Sequence, residues 1–349
     1  MRKYDFELLR THTWDNETIG MISKIYEHKG RQQLFLTQQP QKLETLVEIA
    51  KIQSIESSNK IEGISTTQTR IRQICMEKTT PKNRSEKEIS GYRDVLNSIH
   101  ENFPYIKITP SIILQFHRDL YKYSNSSFGG KLKSTQNYIV QTFSDGSERI
   151  IFTPTPPYET ENALHTLCEN FNKIIEEKNI EPLLAIPVFI NDFLCIHPFS
   201  DGNGRMSRLL TTLILYKLGF FVGKYISLES KIERTKQDYY LALSESDEGW
   251  NENKNNPEPF VKYFLGILLA AYRDFEERIE LISQKIPALE MVRQAAKKKI
   301  GKFTKNDILE LCPTLSHASV ENSLKRLVEE NFIERHGAGR ATFYVCIEN

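Results

Sequence analysis

The strongest constraint in the sequence is the stretch from Leu183 to Leu218, two apolar runs interrupted by one short polar loop. Upstream, Leu183 to Ile196 is almost wholly apolar and reads as a buried helix. Downstream, Met206 to Leu218 carries Leu209, Leu210, Leu213, Leu215 and Leu218 close to a period of about 3.6 residues, a second helix. Pro198, Gly202 and Gly204 break both helices and force a tight turn between them. The turn runs straight into a helix N-terminus. Unpaired backbone N–H groups and the positive end of the helix dipole make such a place suited to an anion. Glycines let a phosphate come close to the backbone.

The side chains of the loop agree with that reading. Arg205 and Arg208 are three residues apart and share one face of the first turn. Two guanidiniums there oppose the helix dipole unless an anion compensates them. Asp201 is a hard oxygen ligand suited to Mg2+ beside a phosphate. His197 has the unperturbed pKa that a general base needs near neutrality. Phe199 reads as the apolar anchor of the loop.

The run His197-Pro198-Phe199-Ser200-Asp201-Gly202-Asn203-Gly204-Arg205-Met206-Ser207-Arg208 resembles the active-site motif of Fic-domain proteins, His-Pro-Phe-x-Asp-Gly-Asn-Gly-Arg-x-x-Arg, at every fixed position. The resemblance implies a mainly α fold: a Fic-type helical bundle with a β-hairpin flap. It also implies a nucleotidyltransferase that moves AMP from ATP, with Mg2+, to a Ser, Thr or Tyr hydroxyl of a protein, the chain itself included. In that scheme His197 is the base and Asp201 holds the metal. Asn203 and the backbone of Gly202 and Gly204 cradle the α/β-phosphates, and Arg205 and Arg208 clamp the β/γ end. Relatives that remove AMP, or that transfer other phosphate-containing groups, leave those chemistries open as alternatives.

Upstream, Gln41 to Ile61 has the pattern of a long amphipathic helix that stops at Gly63. A carboxylate is disfavoured at a helix C-terminus, so Glu62 calls for a cationic partner elsewhere. Ser58, Glu62 and Gly63 also match the family's inhibitory motif, Ser/Thr-x-x-x-Glu-Gly/Asn. The resemblance then implies that Glu62 pairs with Arg208 and holds the enzyme off. Residues 1–100 form the N-terminal helical region, with the inhibitory helix at about 41–63, and residues 101–280 the Fic core.

Several other stretches carry expectations. Thr18 to His28 reads as a short helix, Ile71 to Ile106 as helical, and Thr109-Pro110-Ser111 as a helix start. His117 reads as structural. Asn137–Phe143 and Arg149–Phe152 are β-prone around Asp145-Gly146, a hairpin signal that the family resemblance makes the flap at about 134–155. Where the family usually has an arginine before the flap, Gly130-Lys131-Leu132-Lys133 offers lysines. Glu161 to Glu177 is amphipathic, and Pro187 predicts a kink or a delayed start in the helix before the loop. Ile232 to Ser244 and Pro259 to Ile279 extend the helical core. Tyr239 and Tyr240 read either as core aromatics or as rings that stack on a nucleotide base.

Residues 288–349 look like a separate unit, a winged helix-turn-helix with two helices and a two-strand wing carrying Arg340. Its lysines and arginines from Met291 on number ten against seven acids, a weak field for nucleic acid. DNA binding by this unit, with the core as nucleotide sensor, stands beside a protein-interaction or dimerisation role, so a homodimer stays open. The whole chain of 349 residues has a formal charge of +1, which argues against a global nucleic-acid or membrane attraction. Five scattered cysteines without a CxxC pair fit reduced thiols in a cytoplasmic protein. The N-terminus lacks an apolar signal core, and no run reaches membrane-spanning length.

Overall fold

The protein is described here by a computed structural model that covers residues 2–38, 40–124, 126–142, 147–283, 286–299 and 301–347. It is mainly helical. The N-terminal region contributes α1 (Glu7–Thr11), α2 (Asn16–Gln38), α3 (Pro40–Ile61), α4 (Gln68–Cys75) and α5 (Arg84–Asn102). The core continues with α6 (Pro110–Leu120), the strands β1 (Ile139–Thr142) and β2 (Glu148–Phe152), and α7 (Pro157–Glu177). It then runs through α8 (Pro182–Ile196), α9 (Asn203–Lys217), α10 (Leu228–Arg234), α11 (Lys236–Asp247) and α12 (Glu258–Ser283). The C-terminal unit comprises α13 (Ala288–Lys297), β3 (Lys302–Phe303), α14 (Lys305–Leu311), α15 (His317–Glu329), β4 (Ile333–His336) and β5 (Phe343–Cys346).

α8 is the axis of the bundle. Every residue from Leu183 to Ile196 is buried, and the helix packs on α7, α9, α11 and α12. It runs on through Pro187 from its start at Pro182. A proline inside a helix costs roughly 3 kcal/mol, whereas burying each of Leu183, Ile186, Phe189 and Ile190 contributes about 1.5–3 kcal/mol, so packing overrides the break. Asp192 of α8 is buried and compensated by Arg2 Nη2 at 2.9 Å and Trp250 Nε1 at 2.6 Å. This ties the N-terminal segment to the back of the helix.

Two other sequence expectations shift. α2 extends well beyond the predicted Thr18–His28, because Ile25 and neighbouring apolar positions pack on α12. The predicted Ile71–Ile106 helix is two helices. α4 ends at Cys75 with Met76 as its cap, and Asn83 starts α5 anew by accepting from the Glu86 N–H at 2.9 Å. Thr109 caps α6 as its sequence position predicts.

The strands β1 and β2 form an isolated antiparallel hairpin, Gln141 opposite Arg149, with an irregularity between Ile139 and Val140. The Asp145-Gly146 turn and Phe143 lie outside the described residues. The C-terminal unit has its own apolar cluster, including Val292, Ile308, Val320, Leu324 and Ile333, and an antiparallel sheet in the order β3-β5-β4. That arrangement is compatible with a winged helix-turn-helix. Glu321 on α15 pairs with Lys305 at 3.1 Å and Glu329 with Lys325 at 3.9 Å, so acids neutralise part of the basic surface on the helix that would face DNA. Among the described residues no helix is long and apolar enough to cross a membrane.

Candidate active site

α8 ends at His197, whose backbone sits in the left-handed region (φ 50°, ψ 61°). Its Nδ1–H donates to the Leu194 carbonyl at 3.1 Å. A carbonyl only accepts, so the proton is on Nδ1 and the lone pair is on Nε2. Burial lowers the His197 pKa to about 4, with the Leu194 carbonyl opposing it. The Lys133 charge lowers it further, while Glu62 and Asp201 raise it. The ring is therefore neutral at physiological pH and can accept a proton.

The loop after His197 is held by an aromatic and hydrogen-bonded frame. Phe199 is fully buried and stacks on His117 with centroids 3.7 Å apart and planes 5° apart. His117 Nε2–H donates to the Asp201 carbonyl at 3.0 Å, and its Nδ1 accepts the Gly130 N–H at 3.0 Å. His117 is structural, as its place on the apolar face of α6 predicts. Gly202 takes a positive φ of 83°, and a Cβ there would press on the Tyr121 ring and hydroxyl. The first N–H groups of α9 follow, and no side chain caps them. Such uncapped N–H groups suit an anion.

Two expected phosphate contacts need correction. The Asn203 side chain does not face the nest. Its Oδ1 accepts from the Phe199 N–H at 3.0 Å and its Nδ2 donates to the Phe199 carbonyl at 2.7 Å, so it closes the loop on itself and leaves only its backbone N–H to an anion. Arg205 is also turned away. It is 1% exposed, forms an ion pair with Glu88 Oε2 at 2.8 Å, and donates from Nη2 to the Tyr121 hydroxyl at 2.7 Å. Its Nε and Nη1 have no hydrogen-bond partner among the described residues, but the guanidinium is enclosed in the core beside Glu88 and Tyr121 rather than open at the nest. It locks α9 to α5 and α6.

Arg208 makes the expected pair with Glu62. Its Nε donates to Ser58 Oγ at 2.8 Å, and its Nη2 to the Ser58 carbonyl at 2.9 Å and Glu62 Oε1 at 2.7 Å. Burial would lower the Arg208 pKa, but Glu62 and its hydrogen bond outweigh that and raise it, so the cation is fully charged. The Glu62 carboxylate lies over the start of α9, where a Cβ on Gly204 would collide with Glu62 Oε1. A carboxylate thus occupies the approach to the anion nest. Lys236 of α11 donates to the last carbonyl of α3 at 2.6 Å. This cation at the helix C-terminus helps hold the arm that carries Glu62.

Asp201 presents its carboxylate to solvent, its side chain 49% exposed. Oδ1 accepts the Gly202 N–H at 2.6 Å, and Oδ2 lies 3.9 Å from Arg84. Among the described residues no group of three metal-ligating side chains exists. One open carboxylate beside an anion nest fits Mg2+, which keeps water and takes phosphate oxygens as its other ligands. Tyr239 is buried beside Arg208, as a core aromatic. Tyr240 is 44% exposed and lies on the Glu62 side. The hairpin stands beside this site with Tyr138, Val140, Ile150 and Ile151 exposed.

A sequence model of the Fic/DOC family matches residues 107–215, which contain the whole loop. A Fido domain-containing protein of Dictyostelium discoideum is 34% identical over 134 residues, 38% of this chain and 87% of that protein. The chain belongs to the Fic/DOC family. A probable protein adenylyltransferase of Aquifex aeolicus is 35% identical over 98 residues, covering 28% of this chain and 27% of that protein. The chain spans between a quarter and about half the length of the curated adenylyltransferases it matches. Among solved structures, a Fic family protein from Desulfovibrio desulfuricans superposes with a TM-score of 0.62 at 22% identity, covering 97% of this chain and 98% of that one.

Within this Fic/DOC fold, sequence reasoning missed Glu88, Tyr121 and Asn137. Glu88 sits in the charged run Glu86-Lys87-Glu88, where only the helix phase turns it inward to Arg205. Tyr121 ends α6 with no motif around it. Asn137 Nδ2 donates to the Phe199 carbonyl at 3.1 Å, a contact that exists only once the hairpin has folded back on the loop. The Phe199–His117 stack yields a direct test. Phe199→Ala is expected to cost about 3–5 kcal/mol of stability, read as a lower denaturant midpoint. A midpoint unchanged from the parent would show that the loop does not depend on the stack.

Proposed function

We propose that this chain is a protein adenylyltransferase that transfers AMP from ATP to a protein hydroxyl and is held off by Glu62. The observation that carries the reading is the Glu62–Arg208 pair at 2.7 Å, seated over an uncapped helix N-terminus that begins six residues after a neutral histidine. In the active state the terminal phosphates of ATP take the place of the Glu62 carboxylate on Arg208. The backbone N–H groups of Asn203, Gly204 and Arg205 bind the remaining phosphate oxygens. Asp201 would hold Mg2+, which when bound neutralises phosphate charge.

His197 Nε2 takes the proton of a target Ser, Thr or Tyr hydroxyl as its oxygen forms a bond to the α-phosphorus. The α-phosphorus–oxygen bond to the β-phosphate breaks, and pyrophosphate leaves. Such transfers depend mostly on positioning and electrostatic stabilisation. Arg205 supports the reaction at one remove, by fixing the first turn of α9 against Glu88 and Tyr121.

The experiment is incorporation of label from α-labelled ATP with Mg2+ into the chain and added protein, in wild type and Glu62→Gly. Label in Glu62→Gly supports the reading, and its absence with ATP bound counts against it. Asp201→Asn in the Glu62→Gly background is expected to lower turnover by about 10²-fold or more and to raise the Mg2+ needed for half-maximal rate. An unchanged Mg2+ dependence would remove Asp201 from the metal site. The reverse reaction has its own support, because Glu62 stands on the same side as His197 and has 30% of its side chain exposed to water. Incubating AMP-modified protein with wild type tests it by release of AMP.

A further inference from the structure

The stretch that leads into the flap grips the catalytic loop in a way the proposed chemistry leaves unused. Four successive carbonyls, those of Ile196, His197, Pro198 and Phe199, each receive a hydrogen bond from Lys133 or Asn137. Lys133 Nζ donates to the Ile196 carbonyl at 3.0 Å and its backbone N–H to the Pro198 carbonyl at 2.9 Å. Asn137 Nδ2 reaches the Phe199 carbonyl at 3.1 Å and the His197 carbonyl at 3.4 Å. A third Lys133 bond, from Nζ to Asn137 Oδ1 at 2.8 Å, joins the two gripping residues.

We infer that Lys133 is a positioning residue for the transfer reaction. Its ammonium pins the carbonyl end of α8 to the base of the flap and holds His197 in its left-handed conformation. The inference rests on the reading of His197 as the base.

The physical case has three parts. The last carbonyls of a helix lack intrahelical donors and carry the negative end of its dipole, so a cation is favoured there. A non-glycine residue at φ 50° is costly and persists only when its surroundings hold it, which the four gripped carbonyls do. Lys133 is also buried, at 4% exposure, with neutral oxygens as its hydrogen-bond acceptors. Burial lowers its pKa to about 8, so this is a cation that titrates in an accessible range.

The charged groups facing His197 are Lys133 from the flap base, Glu62 from just past the end of α3 and Asp201 from the loop; the carboxylates raise its pKa and Lys133 lowers it. Cys195, the nearest thiol on α8, is pushed well above its usual range and stays protonated. The transfer rate should therefore rise as His197 loses its proton near pH 4 and fall as Lys133 loses its proton near pH 8.

The test uses the full chain carrying Glu62→Gly, with Lys133→Met and Lys133→Arg added separately. Lys133→Met is expected to lower kcat by about tenfold to a hundredfold. ATP affinity should stay within about twofold, because Lys133 does not touch the nest. Lys133→Arg, which cannot deprotonate here, should restore kcat and remove the fall above pH 8. The His197 ring signal, assigned by its loss in His197→Gln, should titrate at higher pH in Lys133→Met. A purely structural lysine would not move the alkaline limb on change to arginine.

A shared alkaline limb in the lysine and arginine proteins overturns the inference, as does an unmoved His197 titration in a folded Lys133→Met. If Glu62→Gly itself transfers no AMP, the proposed function fails. The His197 titration, read without activity, still decides whether Lys133 sets the ring.

Discussion

Glu62→Gly is expected to raise AMP incorporation about 10- to 150-fold over wild type. The Glu62–Arg208 hydrogen bond joins two charged groups, one 3% exposed and the other 30%. A bond of this kind is worth about 1.5–3 kcal/mol net, and each ~1.4 kcal/mol is a factor of ten. On the proposed function, ATP phosphates have to displace that carboxylate in wild type before they reach Arg208 and the nest. Removing it returns the difference to ATP binding and to productive placement of the α-phosphate.

The same change leaves Arg208 buried without its counter-ion, which costs stability until an anion replaces Glu62. Thermal unfolding should show Glu62→Gly below wild type without nucleotide, and a larger rise on adding ATP and Mg2+ than wild type shows. Equal labelling, with equal ATP-induced shifts in the two proteins, would dismiss Glu62 as a brake.

His197→Ala in the Glu62→Gly background is expected to lower kcat by about 10²- to 10⁴-fold with ATP affinity unchanged. The ring has one job in this geometry. Nδ1–H is committed to the Leu194 carbonyl, so only Nε2 is left to take the target's proton. In the proposed function the phosphates are held elsewhere, on the α9 backbone and Arg208, which is why kcat and affinity should separate.

Because burial holds the His197 pKa near 4, the rate should persist well below the pH at which an exposed histidine would protonate, and fall only as pH drops through about 4. The same histidine makes a pH-dependent contribution to stability. Its folded pKa lies below the ordinary 6.5, so the unfolded chain binds the proton first and stability is lost as pH falls from about 6.5 toward 4. Equilibrium unfolding at pH 7 and pH 5 reads that loss. A kcat that survives His197→Ala would assign proton removal to another group.

Much of the site is legible in the sequence because its chemistry is local. His197, Asp201, Gly202, Gly204 and Arg208 lie within twelve consecutive residues, and the helix break between two apolar runs places them on one N-terminus. The helix that leads to Glu62 is legible from periodicity, and Glu62 itself from a carboxylate placed where a helix end disfavours it. The observed Arg208 contact supplies the cation that this placement called for. What misled local reading was side-chain direction. Arg205 and Arg208 share a face of α9, yet three residues of helix separate one that meets Glu88 in the core from one that meets Glu62 at the cleft. Asn203 looked like a phosphate ligand by position and proved to be the loop's own brace.

The sequence by itself determined the helical core, the broken loop, the anion-suited N-terminus and the identity of the groups placed there. Spacing and residue type suffice for these, since helix breaks, dipoles and neighbouring side chains act within a few residues. The tertiary structure alone decided which arginine stays available and which hydrogen bonds hold His197. It also decided that a lysine more than sixty residues upstream grips the end of α8. Those outcomes depend on burial and on partners from distant elements. Moving a charge from water into the core changes its energy by several kcal/mol, so packing rather than sequence proximity selects its partner.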